Sequence, residues 1–551
     1  MAAARFLLPI LPKGENFLKR KSYGVFLLLV LLLGAAVFSI ANVSGSAEYV
    51  AAAQGQSVYR LDVAQTRGVI YDCHLRPLVN ENRKWVAAVA PTIEAIGALE
   101  KATGGKYRQR LALALEDGKP FLMELERSLT NPCIDMFSVP QRYGDRQLAP
   151  HVIGYLDSLG SGAAGMELAM NDALETHAGQ ATVYYQVDAL GHVVAGGDRQ
   201  VSDTLKESRG GVALTLDAEL QAAVEELAAP LEKGAVVVTE VPNCEIRALA
   251  SFPTYSPNDL GAAEHTDGAL LNRAFCSYAP GSVFKLACAA AKLENGGDPL
   301  EPYECTGAVN AGGMLFHCFD GKAHGKVDLK GALEKSCNCY FINCGRSLGG
   351  QNILSMAYNM GFGTEQEFGR GLFADAGELP EADLLENPRA LANFSFGQGD
   401  LSVTPVQLCG MVNAIASGGT YRSPKLISGT VDSELRLTET SSIADKSLRV
   451  MSVATSETLR DCMEGAVKEG TAQPGAPKNC LAGIKTGTAQ TGVYEGGEEL
   501  LHFWYCGYVC SGTDPRYCIT VLKESCADDG GVTAQVFREI AEKLGETMTG
   551  E

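Results

Sequence analysis

Positive charge is scarce in this chain of 551 residues. Its 46 lysines and arginines are outnumbered by 65 aspartates and glutamates, and the formal net charge is −19 at pH 7. Proteins bind phosphate backbones through clustered Lys and Arg side chains. The shortage of these residues therefore argues against a nucleic acid as a partner.

Charged residues as a whole make up only 20% of the chain, while hydrophobic residues make up 46%. These fractions are typical of globular proteins and exclude a disordered chain. The length predicts two or three domains, each large enough to bury its own core.

A long uncharged run covers residues 23–41 and is rich in Leu, Val and Phe. It follows a tail, residues 1–22, that carries five basic residues and one acidic residue. The run is long enough to cross a bilayer, and positive residues stay on the cytoplasmic side. We therefore expect a single-pass protein of the cell membrane, with a cytoplasmic tail and an extracytoplasmic body. The alternative is a cleaved signal peptide, although its apolar core is usually shorter.

Cysteine is frequent, and its odd count of 17 leaves at least one thiol without an intrachain partner. Most of these residues are expected to pack as small hydrophobes. One loose group of cysteines and a histidine raises the question of zinc: Cys305, Cys318, His324, Cys337 and Cys339. Its spacing fits no tight ligand pattern. The prediction is therefore no metal site and no cofactor.

Ser282 and Lys285 form the only pair in the chain in which a serine precedes a lysine by three residues. Residues at this spacing share one face of a helix, so the amine can reach the hydroxyl. A serine hydroxyl is a weak nucleophile until a base removes its proton. Pro280 and Gly281 predict a turn that opens the helix at Ser282. Alone the pair is weak evidence, because many proteins contain this spacing by chance.

Two further motifs follow in order. They are Ser336-Cys337-Asn338 and Lys485-Thr486-Gly487-Thr488. Together with Ser282 and Lys285 they match the motif set of penicillin-binding proteins and class A β-lactamases.

The flanking sequences narrow this resemblance to class B penicillin-binding proteins. These sequences are NRA at 272–274, HG at 324–325, GQG at 397–399, TP at 404–405, RGVIYD at 67–72, HVIGY at 151–155 and GME at 165–167. The resemblance extends from about residue 19 to about residue 545.

An α+β fold is expected from the order of strand-like and helix-like segments, with helices covering an antiparallel sheet. The residues predict a β-hairpin over 234–251, a helix from Ser282 to about residue 294 and a last helix from about residue 532. The resemblance implies that this transpeptidase domain, residues 212–551, stands on a stalk and pedestal of the dimerisation type. The pedestal is assigned to residues 42–211, after the transmembrane anchor at 23–41.

Ser282 is the predicted nucleophile and Lys285 its base, with a pKa that a nearby Lys485 would lower by like-charge repulsion. Ser336 can relay a proton to the leaving amine. Asn338 can hold the substrate amide or orient Lys285. Gly487 lets an extended substrate lie along the strand edge.

Substrate recognition is assigned to the third motif, where Lys485, Thr486 and Thr488 offer donors for a terminal carboxylate. The family's oxyanion hole maps onto the backbone N–H groups of Ser282 and Thr488.

The resemblance implies a peptidoglycan D,D-transpeptidase that cross-links stem peptides and is acylated by β-lactams. It also implies a polytopic membrane glycosyltransferase as a partner. Two alternatives stay open. One is hydrolysis by a D,D-carboxypeptidase or a β-lactamase with the same residues, and the other is a non-catalytic regulator of the glycosyltransferase.

Overall fold

The computed structural model describes residues 14–45, 57–439 and 446–550. The chain forms two compact units, which are treated separately. The first comprises Met1–Ala64, Lys84–Val139 and Gln180–Asp203, and the second comprises Gln65–Arg83, Pro140–Gly179 and Thr204–Glu551.

The α-helices are numbered in chain order. They are α1 Gly14–Gly45, α2 Ile93–Ala102, α3 Arg108–Asp117, α4 Pro150–Ile153, α5 Gly165–Ala169, α6 Asn171–Thr176, α7 Ala218–Ala228, α8 Leu260–Glu264, α9 Lys285–Glu294, α10 Leu329–Glu334, α11 Asn338–Leu348, α12 Gly350–Asn359, α13 Pro388–Ser395, α14 Pro405–Ala416, α15 Val453–Lys468 and α16 Val532–Gly550.

The strands are numbered in the same way. They are β1 Val58–Thr66, β2 Val69–Tyr71, β3 Arg83–Val89, β4 Phe121–Leu125, β5 Ile134–Pro140, β6 Gly179–Gln186, β7 Arg199–Asp203, β8 Gly211–Leu214, β9 Gly234–Glu240, β10 Glu245–Phe252, β11 Tyr303–Cys305, β12 Ala308–Ala311, β13 Met314–His317, β14 Gly325–Val327, β15 Gln366–Gly369, β16 Leu372–Ala374, β17 Thr420–Arg422, β18 Ile427–Val431, β19 Leu437–Glu439, β20 Ser447–Arg449, β21 Ala482–Glu495, β22 Glu498–Ser511 and β23 Asp514–Cys526.

The apolar N-terminal run lies in α1. Within the described residues, Lys21–Asn42 is the one helical stretch long and apolar enough to cross a membrane, with a mean hydropathy of 2.7 and none of its apolar window buried. A fully exposed helix of this composition would be unstable in water, because its apolar side chains have nothing to pack against. A lipid environment removes that cost.

The first unit holds two small sheets, with strand orders β1-β6-β7 and β4-β3-β5. Helices α2 and α3 contribute Leu99 and Leu111 to a core shared with residues of β3 and β4. The side chain of Thr92 caps α2 by accepting a hydrogen bond from the Ala95 N–H, which satisfies one of the free donors of the first turn.

The second unit is organised around an antiparallel sheet with the order β10-β9-β23-β22-β21. The predicted hairpin over 234–251 is confirmed as β9 and β10. Alternate residues of β9 enter different cores, because successive side chains in a strand point to opposite faces. Val237 packs in the larger core, whereas Val236 and Val238 pack in the smaller one. Burial on both faces accounts for the continuous apolar run in the sequence.

Helices cover both faces of this sheet. On one face lies α14, whose Cys409 thiol approaches the backbone carbonyls of Val237 and Cys518. On the other face α16 contributes Val536, Phe537 and Ile540 to the smaller core. Helix α14 starts with a capping box in which Thr404 and Gln407 satisfy each other's backbone N–H groups. The expected α+β fold is confirmed.

The compact units do not follow the boundary that the sequence placed between 211 and 212. Strand β2 pairs in parallel with β8, which places residues 65–83 in the second unit. Glu167 is fully buried and lies 2.6 Å from Arg142 and 3.4 Å from Arg67. A buried carboxylate requires such partners, and these ion pairs tie residues 140–179 to the same unit. The assignment of 42–211 to a pedestal stays a prediction.

Candidate active site

The predicted nucleophile lies on a tight turn. Residues Gly281–Phe284 form a 3-10 turn, the nucleophile turn, which leads directly into α9. The predicted helix from Ser282 is therefore present, with a narrower first turn. Gly281 has a φ of 54°, a conformation that costs glycine little. Ser282 is half-buried, and its Oγ accepts a hydrogen bond from Lys285 Nζ at 2.9 Å.

Lys285 is fully buried and its amine makes four polar contacts. Besides Ser282, Nζ lies 2.8 Å from the carbonyl oxygen of Ser336, 3.2 Å from its Oγ and 2.6 Å from Asn338 Oδ1. Burial lowers the pKa of Lys285 to about 8, because the charged amine has lost its hydration. The neutral form of this amine is therefore far more populated near neutral pH than that of an ordinary lysine.

The second motif lies between two helices. Ser336 follows α10, and Asn338 is the first residue of α11. Ser336 adopts a φ of 53°, which is uncommon for a residue with a side chain. Asn338 is held by a hydrogen bond from its Nδ2 to the carbonyl oxygen of His317, at 3.0 Å. Its Oδ1 is thereby directed at Lys285 and not at solvent.

The third motif lies on β21 and completes the site. Lys485 is 1% exposed, and its Nζ donates to Ser336 Oγ at 3.1 Å and to the Thr486 carbonyl at 2.9 Å. Its pKa is well below the usual value because of burial and, second, because of the charge on Lys285. From the sequence, this like-charge effect was expected to lower the pKa of Lys285. In the structure it lowers the pKa of Lys485, whereas the pKa of Lys285 is lowered by burial.

The remaining residues of the third motif lie on β21, the outer strand of the sheet. Thr486 Oγ1 lies 2.9 Å from Thr471 Oγ1, and Thr488 is exposed. A side chain at Gly487 would place its Cβ 2.8 Å from the Pro280 carbonyl oxygen and 2.9 Å from a methyl carbon of Val283. Glycine therefore lets β21 lie directly against the nucleophile turn. Because β21 is the last strand in the sheet order, one of its edges has no strand partner in the described part of the chain.

Three supporting residues carried no structural role in the sequence argument. Trp504 Nε1 donates to the Ala279 carbonyl at 3.0 Å and so holds the segment before the nucleophile turn. A Cβ on Gly397 would lie 1.8 Å from the Gly281 carbonyl oxygen. Thr471 orients Thr486. Only Gly397 had a signal in the sequence, as part of the GQG flank.

The site therefore combines a hydroxyl, a buried amine within hydrogen-bonding distance of it, and a second amine that shares Ser336 with the first. A neutral amine beside a serine can accept its proton when the hydroxyl attacks a carbonyl carbon. This arrangement is suited to acyl transfer through serine.

Comparison with known proteins agrees with this chemistry. The family model described as the penicillin binding protein transpeptidase domain matches residues 234–542. The chain is 30% identical over 431 residues to penicillin-binding protein PbpB of Mycobacterium tuberculosis, covering 73% of this chain and 61% of that protein. It is also 30% identical over 323 residues to the peptidoglycan D,D-transpeptidase PbpA of Mycolicibacterium smegmatis, covering 54% of this chain and 62% of that protein. The chain thus spans about three fifths of the length of these relatives.

A solved structure extends the comparison over more of the chain. Its title is "Structural coordination of polymerization and crosslinking by a peptidoglycan synthase complex", and it matches with a TM-score of 0.67 and 22% identity. The match covers 94% of this chain and 97% of that one. At this identity the likeness shows a shared fold. The match to the family model covers more than half of the sequence, and the chain belongs to the penicillin-binding transpeptidase family, with its resemblance to the class B penicillin-binding proteins confirmed.

Proposed function

We propose that this protein is a peptidoglycan D,D-transpeptidase that cross-links stem peptides through an acyl-enzyme on Ser282. The observation that carries the proposal is the 2.9 Å hydrogen bond between Ser282 Oγ and the fully buried Lys285 amine. Family membership and the names of the relatives support the same reaction.

In the first step Ser282 Oγ attacks the carbonyl carbon of the penultimate D-Ala of a donor stem, and its proton passes to neutral Lys285. The bond between this carbon and the nitrogen of the terminal D-Ala then breaks. Ser336, which contacts both Lys285 and Lys485, passes a proton to the departing amine. The products are a serine ester and free D-Ala.

In the second step an amine from a neighbouring stem attacks the ester carbonyl. A new amide bond forms, the Ser282 ester bond breaks, and the proton of the amine returns through Lys285 to the serine. The backbone N–H groups of Ser282 and Thr488 hold the oxyanion in both steps. The reaction exchanges one amide for another, so it requires no cofactor.

Residues of β21 and of the second motif bind the substrate. The free edge of β21 pairs with the extended donor peptide. Thr486 and Thr488 bind its terminal carboxylate, with the Lys485 amine as a further donor, and Asn338 holds an amide of the donor. A β-lactam places its own strained amide at the same position and acylates Ser282.

The apolar helix over Lys21–Asn42 anchors the protein in the cell membrane in this proposal. The basic tail stays in the cytoplasm, because positive residues flank the cytoplasmic end of a span. The catalytic domain then lies outside the cell membrane, where peptidoglycan is cross-linked. A polytopic membrane glycosyltransferase is the proposed partner, supported by the shared fold with a chain of a peptidoglycan synthase complex.

Labelling with a fluorescent penicillin tests the nucleophile. The wild-type chain should be labelled at one site, and peptide mapping should place the label on Ser282. Ser282→Ala should abolish labelling. Ser277→Ala, in the segment just before the turn, is the matched control and should label normally. Stoichiometric labelling of the Ser282→Ala variant would refute the assignment.

A cross-linking assay separates transpeptidation from hydrolysis. With a donor stem and an acceptor amine, the full chain should form cross-linked product. Release of D-Ala without any cross-link would favour a D,D-carboxypeptidase. If Ser282→Ala stimulated the glycosyltransferase as well as the wild type does, while the wild type cross-linked nothing, a purely regulatory role would replace the enzymatic one.

A further inference from the structure

Four potential metal ligands converge next to the second motif. Cys305, Cys318, His324 and Cys337 each place one ligand atom within 4.8 Å of the other three. The three cysteines are buried, and His324 is half-buried. Zinc is bound in proteins by this type of residue set, three thiolates and one imidazole.

Three of the six separations between these atoms fit a single tetrahedral ion, and all six are within 4.8 Å. For Zn–S bonds of about 2.3 Å and Zn–N bonds of about 2.0–2.1 Å, a tetrahedron requires S–S separations of about 3.8 Å and S–N separations of about 3.6 Å. Cys305 Sγ lies 3.7 Å from Cys318 Sγ, which in turn lies 3.8 Å from Cys337 Sγ. His324 Nδ1 lies 3.4 Å from Cys305 Sγ. These S–S separations are too long for a disulfide, whose bond is about 2.05 Å.

Secondary structure brings the four residues together. Cys305 ends β11 and pairs with Gly325 of β14, which places His324 beside it. Cys318 directly follows β13, and Cys337 is the N-cap residue of α11. The pattern in the chain is Cys-x12-Cys-x5-His-x12-Cys, without the short Cys-x2-Cys pair that usually reveals zinc in a sequence. A shared role for these residues was therefore not predicted from the sequence.

The sulfur of Cys337 accepts a hydrogen bond at the start of α11. The backbone N–H of Tyr340 donates to its Sγ at 3.4 Å. Such hydrogen bonds stabilise a thiolate and are typical of the groups that support metal ligands. Packing of small hydrophobes would account for buried cysteines. It does not account for an imidazole nitrogen and three thiols that meet at one point.

We propose that Cys305, Cys318, His324 and Cys337 bind one zinc ion in a closed tetrahedral site that fixes the loop of the second motif. On binding, the three thiols lose their protons to solvent and His324 coordinates as the neutral imidazole. With four protein ligands the ion has no open position, so its role is structural.

The position of Cys337 links the proposed zinc site to the active site. This residue lies between Ser336 and Asn338, both of which contact the Lys285 amine. Ser336 is held at a positive φ, and the Asn338 side chain is fixed to the carbonyl of His317, the neighbour of Cys318. A metal bond at Cys337 would hold this strained loop in place. The effect on acylation rests on the proposed function, whereas zinc binding does not.

Metal content provides the first test. The full chain, purified in detergent without chelators after growth with added zinc, should contain about one zinc per chain by mass spectrometry. Replacement by cobalt should give the visible absorption of a tetrahedral Co²⁺ thiolate site. A wild-type chain that is metal-free, that contains iron instead, or that has a Cys318–Cys339 disulfide would overturn the proposal.

Variants locate the site. Cys305→Ser and His324→Ala should each lose most of the zinc. Cys344→Ser should retain the zinc, because Cys344 is a buried cysteine of α11 that lies outside the cluster. Cys339→Ser should also retain it, although its sulfur lies 3.4 Å from Cys318. Full zinc content in both Cys305→Ser and His324→Ala would contradict the assignment, even if other variants failed to fold.

A chelator links the metal to the active site. Removal of zinc from the wild-type chain should lower its Tm and slow penicillin acylation at least tenfold, and added zinc should restore both. Zinc binding without any acylation would refute the proposed function and leave the metal site intact. Normal acylation by a chain shown to be zinc-free would refute the role of the metal in fixing the loop.

Discussion

At the scale of single residues, the site depends on two lysines whose amines share one hydroxyl. Lys285 and Lys485 are both buried, and each lies within 3.2 Å of Ser336 Oγ. Burying one amine favours its neutral form, and a second amine nearby strengthens this preference. The same burial that destabilises a charge thus prepares Lys285 to accept a proton.

Replacement of Lys285 tests its role as the base. We expect Lys285→Ala to reduce the rate of acylation by a fluorescent penicillin by about 100-fold or more, the usual contribution of a positioned general base. Lys292→Ala is the matched control, since Lys292 is a buried lysine of the same helix that pairs with Glu301 at 2.7 Å. Equal loss of acylation in both variants would indicate a general defect of α9.

The pH dependence of acylation follows from the pKa of Lys285. The base works only when neutral, and its pKa is about 8. The second-order rate constant for penicillin acylation should therefore be low at acidic pH and rise as the pH increases through about 8. Stopped-flow measurements on the wild-type chain would reveal this rise. A rate that is constant or that falls over this interval would contradict a lysine base.

At the scale of elements, the nucleophile turn is held between two backbone segments that approach it closely. Gly487 of β21 packs against Pro280, and Gly397 lies against the carbonyl oxygen of Gly281. Neither approach leaves room for a Cβ atom. The position of Ser282 thus depends on glycines that are distant in the sequence.

Gly397→Ala should therefore damage the site more than a neighbouring substitution. Its Cβ would lie 1.8 Å from the Gly281 carbonyl oxygen, so the backbone of the turn must move. We expect acylation to fall at least tenfold. Gly399→Ala is the matched control, because both glycines have a positive φ and each substitution costs about 1–3 kcal/mol in backbone strain.

Of the two substitutions, only Gly397→Ala would clash with the nucleophile turn. The Cβ of an alanine at 399 would approach the side chain of Asn393, at 3.2 Å. Penicillin acylation rates and thermal denaturation of both variants would separate the two effects. A similar acylation rate for the two variants would contradict the argument.

At the scale of the whole molecule, the apolar helix over Lys21–Asn42 is the proposed membrane anchor. Arginine at the centre of a membrane-spanning helix costs about 2.5–3.5 kcal/mol per residue. The double variant Leu31→Arg/Leu32→Arg should therefore leave the membrane fraction on alkaline carbonate extraction, whereas the wild type should stay in it.

The control for this experiment adds the same charge elsewhere. Leu159 and Leu190 are exposed leucines outside the helix, 88% and 72% accessible. Leu159→Arg/Leu190→Arg should behave like the wild type. Retention of the Leu31→Arg/Leu32→Arg variant in the membrane pellet would show that another part of the chain anchors the protein.

Local patterns in the sequence were sufficient to identify the elements of the site. The hairpin of β9 and β10 and the helix after Ser282 follow from alternation, turn residues and helix signals that act over a few residues.

Long-range contacts were not accessible in the same way. The sequence did not show that β2 pairs with β8, or that Trp504 supports the nucleophile turn. Such pairings join residues far apart in the chain, and no local propensity encodes them.

By itself, the sequence determined the family, the apolar span and the identity of the eight motif residues, because each depends on residue type and order. Only the tertiary structure decided how these residues act on one another. Lys285 has a pKa of about 8 mainly because the fold buries it. Three cysteines and a histidine become one cluster because two strands and a helix start bring them to within 4.8 Å. Burial and proximity are properties of the packed chain, since they arise only when distant segments exclude water from the space between them.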